Sequence, residues 1–247
     1  MSRAGEQIVT TAAAVLVLLA CCLPAEAGKK LDSATADAGL KEALQMGVNR
    51  AVSELGQVGG YLDNADVRIR VPDKLEKLDK TLRAVGLDSV MDEFDVSMNR
   101  AAEAAAPLAK EVFVDTIKQM SITDAIEIVR GEGHEATDYL RKHAGEELAA
   151  RFTPIVSEQL DAVGATRSFN ELMDSTADLP FAGKPVFDLE DYVTEKALDG
   201  MFFMIAKEEE KIREDPLART TDLLKKVFGG AAERDDNVPW WKRLLQD

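Results

Sequence analysis

Cysteine is almost missing from this chain: its only two copies, Cys21 and Cys22, stand side by side near the amino terminus. The remaining body has no disulfide, no thiolate nucleophile and no sulfur ligand for a soft metal. Histidine is equally scarce, with His134 and His143 the only imidazoles. A histidine-rich zinc or iron centre is therefore excluded, and among metals only a hard cation held by carboxylates stays within chemical reach. Basic charge is in deficit, 30 Lys and Arg against 45 Asp and Glu, for a net −15. The acids are spread along the whole chain, and such a surface repels phosphate backbones, so no nucleic-acid partner is expected.

What is present begins with Arg3, then an apolar run from Ile8 to Leu23, then Pro24 and Ala25-Glu26-Ala27. A short apolar run closed by a small-x-small triplet is what a signal peptidase reads, so residues 1–27 form an export signal and the mature protein is expected in the periplasm or cell envelope. The run is short for a permanent span, and Pro24 breaks its helix before the cut. A second reading stays open. Leu18-Leu19-Ala20-Cys21 resembles a lipoprotein box, with Cys21 as the lipidation candidate, and a lipid there would anchor the protein without altering its fold.

The mature chain reads as all-α: a polar lead-in over 28–38, a single multi-helix domain over 39–229, and a linker with a Trp-bearing tail over 230–247. Leu40, Leu44, Val48, Ala51, Val52 and Leu55 recur every three or four positions, one helical stripe that Gly59-Gly60 ends. Val67, Ile69 and Val71 alternate with Arg68 and Arg70, the period of an extended segment; paired with 184–187 it would make at most a two-stranded ribbon. Leu75, Leu78, Leu82 and Val85 mark a second helix closed by Gly86. A long third helix runs from Asp88 or Ser89 to Met120 with a kink at Pro107. Ser121 caps a short helix that ends at the hinge Gly131-Glu132-Gly133, and helical spacing resumes from Ala136 to Leu160 across a second kink at Pro154. After a polar stretch over 174–185, Asp188 to Pro216 reads as the central helix, because Met201 to Ala206 is apolar on every side. Asp188 is placed to cap it, Phe187 to staple onto Tyr192, and Asp215-Pro216 to stop it and launch a last helix through Leu217, Thr220, Leu224, Val227 and Phe228.

Asn99-Arg100-Ala101-Ala102-Glu103, Ala136-Thr137-Asp138-Tyr139, and Tyr192-Val193-Thr194 through Ala197-Leu198-Asp199-Gly200 to Ile212-Arg213 and Asp215-Pro216 together resemble the domain-of-unknown-function family 4197. The resemblance covers about Gly39 to Gly229 and is most specific in its last part. It implies an exported helical protein of Gram-negative-type bacteria and supplies no activity, cofactor or partner. The Trp-bearing tail lies beyond it.

No catalytic constellation stands out and no cofactor is implied. His134 and Asp138 share a helical face beside Tyr139, but no serine or cysteine joins them; the reading is a capped helix start. Glu208-Glu209-Glu210 with Glu214 and Asp215 can in principle converge on a cation, but Lys207, Lys211 and Arg213 are interleaved. A solvated, salt-bridged helix end is the expectation, with no metal ligands assigned. The candidate site is a polar cluster on apolar helical faces, Asn99, Arg100, Asp138, Tyr139, Tyr192, Asp199 and Arg213, either locking helices together or lining a ligand pocket. Trp240 and Trp241 beside Lys242 and Arg243 have the composition of an interfacial membrane anchor, and docking onto the body or onto a second copy is an equal alternative. The function expected is a non-enzymatic module for an apolar or amphipathic ligand or a protein partner. The alternatives are a carboxylate-based metal-dependent hydrolase and a lipid-anchored architectural protein.

Overall fold

Spacing of three and four places the apolar side chains on stripes, and stripes of this kind bury themselves by packing helix on helix. The computed structural model describes residues 32–84, 86, 88–131, 133–162, 164, 166, 169 and 188–228. Its helices are α1 (Ser33–Leu55), α2 (Glu76–Ala84), α3 (Asp88–Ala105), α4 (Ala109–Gln119), α5 (Ile122–Arg130), α6 (Glu135–Ala162), α7 (Leu189–Glu214) and α8 (Asp222–Phe228). The protein is all-α, and no strand occurs among the described residues.

Helix α7 packs along both α1 and α6. Helices α3 and α4 lie on α6, while α5 and α8 flank α1. The interior is filled by Phe113, Leu140, Leu148, Phe152, Met201 and Phe202, all nearly or fully buried. Phe113 meets the Phe202 ring edge-on, with centroids 5.7 Å apart. This is a geometry that the ring quadrupoles favour.

Several boundaries have local chemical causes. Asp32 accepts a 2.8 Å bond from the Thr35 amide, so α1 already starts at Ser33, inside the stretch read as a lead-in. Ser121 and Asp124 form a reciprocal capping box that starts α5. Around Pro107 the long third helix divides through a 3-10 turn, Ala106–Leu108, into α3 and α4, which is the break that proline demands. Pro154 stays inside α6. One residue earlier, the Thr153 hydroxyl donates to the Ala149 carbonyl at 2.9 Å.

Three expectations need correction. The alternation at 67–71 is real, with Val67 and Ile69 buried and Arg68 and Arg70 exposed, but no ribbon forms there. The reason is Asn99. Its Oδ1 accepts from the Ile69 amide at 2.8 Å and its Nδ2 donates to the Ile69 carbonyl at 2.9 Å. One carboxamide thus supplies both bonds that a neighbouring strand would have made. The partner proposed for the ribbon, 184–187, and the Phe187 staple lie outside the described residues.

Helix α7 is central but not enclosed on every side. Met201, Phe202, Met204 and Ile205 are buried, whereas Phe203 is 43% exposed and has the Lys207 ammonium 5.6 Å from its ring centroid. At the other end, Asp215 does act as a cap, accepting from the Leu217 amide at 2.8 Å, but the element it launches is only the 3-10 turn Pro216–Ala218. Helix α8 begins at Asp222, and Leu217 is exposed rather than part of its buried face. The Arg219 guanidinium occupies the gap, donating to the Ile212 carbonyl at 2.9 Å and the Arg213 carbonyl at 2.7 Å. It thereby supplies the end of α7 with the cation that a helix C-terminus favours.

Candidate functional site

The seven polar residues singled out from the sequence do not meet at one place. Asn99 is fully buried and holds the 67–71 segment. Tyr192 helps it there, donating its hydroxyl to the Arg70 carbonyl at 2.8 Å. Arg100 pairs with Glu103. Asp199 lies on the surface between Arg141 at 3.1 Å and Lys196 at 3.2 Å. Asp138 is exposed on the first turn of α6, as is His134 just before it. Tyr139 rests its ring against the exposed His143, centroids 4.3 Å apart. Arg213 borders a cleft.

Two carboxylates outside that group do more than most of it. Glu103 is 5% exposed, and its Oε1 accepts from the amides of Gly59, Tyr61 and Leu62, each at 3.1 Å. It closes the loop that comes after α1, where Gly59 takes a positive φ of 89°. Tyr61 is enclosed beside it and donates its hydroxyl to the Ala197 carbonyl at 2.7 Å. Burial, with the Glu103 charge adding to it, pushes the Tyr61 phenol far above its ordinary range, so it stays a neutral donor. The available signal was an acid set among the small apolar residues Ala101, Ala102, Ala104 and Ala105.

Glu209 is the second. Its Oε2 accepts from the Thr137 amide at 2.9 Å and from the Thr137 hydroxyl at 2.8 Å, while Oε1 accepts from the Ala136 amide at 3.2 Å. These are orphan donors of the first turn of α6, where a negative charge also meets the positive end of the helix dipole. Arg213, one turn along α7, bonds Glu209 Oε1 at 2.7 Å and donates to the carbonyls of Gly131 at 2.8 Å and Ile128 at 3.1 Å. One ion pair on α7 therefore caps the end of α5 and the start of α6 together.

The reading of 208–210 as a salt-bridged helix end holds, but its solvation needs correction. Glu208 and Glu209 are buried and only Glu210 faces solvent. Glu208 reaches the other way, to Arg50 of α1 at 3.1 Å and to Lys211. The neighbouring acids diverge, and among the described residues no three His, Cys, Asp or Glu side chains gather as a metal-binding group.

The Glu209–Arg213 pair forms one wall of a partly open cleft whose enclosed space is about 20 Å³. Leu40, Leu44, Ile205, Ile212 and Phe228 supply the apolar walls, with Ala43, Gly47 and Ala136 between them. Helices α1, α7, α8 and the first turn of α6 thus share one apolar recess. Its charged groups are already engaged with backbone.

These features define a class: an all-α protein whose buried charges cap its own helices and whose recess is apolar. The model of the family described as Protein of unknown function (DUF4197) matches residues 30–229, and the chain belongs to that family. No curated protein and no solved structure matches it.

Proposed function

We propose that this chain is an exported, non-enzymatic helical module that takes the end of a slender apolar chain, such as the tip of an acyl tail, into the cleft between α1, α7 and α8. The carrying observation is the chemistry of that cleft. Its walls are aliphatic and aromatic, its enclosed space of about 20 Å³ admits the end of a chain rather than a whole ligand, and its two charged side chains offer no spare carboxylate oxygen to a substrate. The non-enzymatic reading is supported by what the buried acids do. Glu103 and Glu209 spend themselves on backbone amides, and Glu208 on cations of the chain. Export is supported by the apolar run and the Ala25-Glu26-Ala27 triplet at the amino terminus.

The test uses N-phenyl-1-naphthylamine, a dye that brightens in apolar surroundings, and palmitoleic acid as competitor. The expected outcome is saturable brightening reversed by the fatty acid, weakened at least about tenfold by Ala43→Leu, which fills the recess with an apolar group that suits its walls. Absence of saturable uptake by the unmodified protein would refute the proposal.

A further inference from the structure

Four helices contribute side chains to the cleft, and three of them are long: α1, α6 and α7 have 23, 28 and 26 residues. The fourth contribution is Phe228, the last residue of α8, a helix of seven. So short a helix keeps its shape only while it is packed. Its packing comes from one apolar row, Leu224, Val227 and Phe228, all buried. Helix α8 lies antiparallel to α1. Thr220, just ahead of it, has its hydroxyl 3.9 Å from the Met46 sulfur, and Val227, near its far end, packs onto Gly39 so closely that a Cβ added there would lie 2.3 Å from Val227 Cγ2.

The polar ties stop where α8 begins. Arg219 fastens the chain to the end of α7 through the Ile212 and Arg213 carbonyls. Residues 219–221 lie outside any helix, and the Thr221 hydroxyl then caps α8 by accepting from the Leu224 amide at 3.2 Å. Beyond that point Lys225 pairs with Asp222 of the same helix, and Lys226 acts on Asp32, the cap of α1, through its charge alone. Among the described residues no hydrogen bond or ion pair joins 222–228 to another helix. An element fastened by a guanidinium at one end, and held elsewhere by apolar contact only, opens by swinging about the fastened end. Opening carries the Phe228 ring out of the cleft.

We infer that α8 is the lid of this cleft, hinged at 219–221, and that its Phe228 ring fills the seat of an apolar chain until one displaces it. The lid as an entrance rests on the reading of the cleft as an acyl-chain site. With α8 down, the enclosed space of about 20 Å³ takes only the tip of a chain; with Phe228 withdrawn, the volume of a phenyl ring is added to it. The exchange replaces one apolar group by another against the same aliphatic walls, so the entering chain restores the contacts that the ring gives up. By linkage, whatever holds α8 down weakens uptake, and whatever loosens it strengthens uptake.

The lid can be locked. A Cβ at position 39 lies 3.1 Å from the Val227 Cβ, a few tenths of an ångström inside the spacing of about 3.5–4.5 Å that disulfides span. Gly39→Cys with Val227→Cys, in the full chain carrying Cys21→Ser and Cys22→Ser, therefore ties α8 to α1 reversibly, and thiol titration verifies the bond. Uptake of N-phenyl-1-naphthylamine should be at least about tenfold weaker in the oxidised form than after dithiothreitol. Phe228→Ala, which empties the seat without a crosslink, should bind the dye at least about threefold more tightly than the unmodified protein. With no ligand present, hydrogen exchange at 222–228 of the unmodified protein should run at least about a hundredfold faster than in α6 and α7. Equal uptake by the oxidised and reduced forms overturns the lid and leaves the cleft reading standing. Weaker uptake by Phe228→Ala makes the ring a wall and overturns the displacement. Exchange at 222–228 as slow as in α6 and α7 overturns the lid whatever the dye does. Absence of uptake by the unmodified protein refutes the occupant instead, and the exchange measurement, which needs no ligand, still decides whether α8 opens.

Discussion

Glu209 and Arg213 stand one helical turn apart, a spacing that on an exposed helix contributes only about 0.2–0.5 kcal/mol. Here the pair is mostly buried, with side chains 7% and 15% exposed. Each partner also bonds backbone of a different helix end, so losing one strands groups of the other. Arg213→Met should leave the Ile128 and Gly131 carbonyls without their donor and Glu209 without its cation, costing about 3 kcal/mol. Arg213→Lys should recover less than half of that loss, because one ammonium cannot reproduce a planar fork aimed at two carbonyls and a carboxylate at once. Urea denaturation of the three proteins checks this. Equal stability of the methionine variant and the unmodified protein would show that the pair caps nothing.

At the scale of elements, α8 is the weak member. Seven residues do not sustain a helix in water, so its order comes from the surface it covers. That surface is Gly39, where Val227 is stiff at χ1 and cannot easily swing aside. Gly39→Ala should therefore lift α8, exposing Leu224, Val227 and Phe228, at about 1–3 kcal/mol for the misfit. Hydrogen exchange would read it as faster exchange in 222–228 with α3, α4 and α6 unchanged. Uniform acceleration everywhere would instead make α8 integral to the fold. The helices themselves were legible beforehand because their apolar spacing is a local signal, as were the caps at Ser121 and at Asp188, which accepts from the Asp191 amide at 3.0 Å; at Pro107 a kink was expected where the helix in fact divides. The ribbon was misread because nothing within 67–71 reveals that Asn99, thirty positions on, replaces the missing strand. The late start of α8 was hidden in the same way by Arg219, whose carbonyl partners lie back on α7. Of the candidate site, polar residues on apolar faces were found, but the burial of Glu103, Glu208 and Glu209 depends on which helices meet, and periodicity carries no such information.

For the molecule as a whole, acid acts in two opposing ways. Protonating carboxylates relieves the self-repulsion of a chain with net charge −15, which favours the compact state. It also discharges Glu208, the residue through which α7 holds Arg50 of α1. Burial pushes the Glu208 carboxyl up, but the hydrogen bonds from Lys211 and Arg50, with their charges, outweigh it and hold the group below its ordinary 4.5. A depressed folded value means that the unfolded chain takes up the proton first. The stabilisation is fully present well above pH 4.5 and is lost as pH falls from there through the lower folded value. Relief of repulsion is nearly common to the unmodified protein and Glu208→Gln, so the difference between their stability-versus-pH curves isolates this one link. The substitution leaves two cations that already face water, Arg50 and Lys211 being 41% and 54% exposed, and is therefore tolerated. Urea midpoints from pH 7 to pH 3 should show the unmodified protein more stable at neutral pH and the two curves converging below pH 4.5. Parallel curves across that window would mean that Glu208 does not link α1 to α7 through its charge.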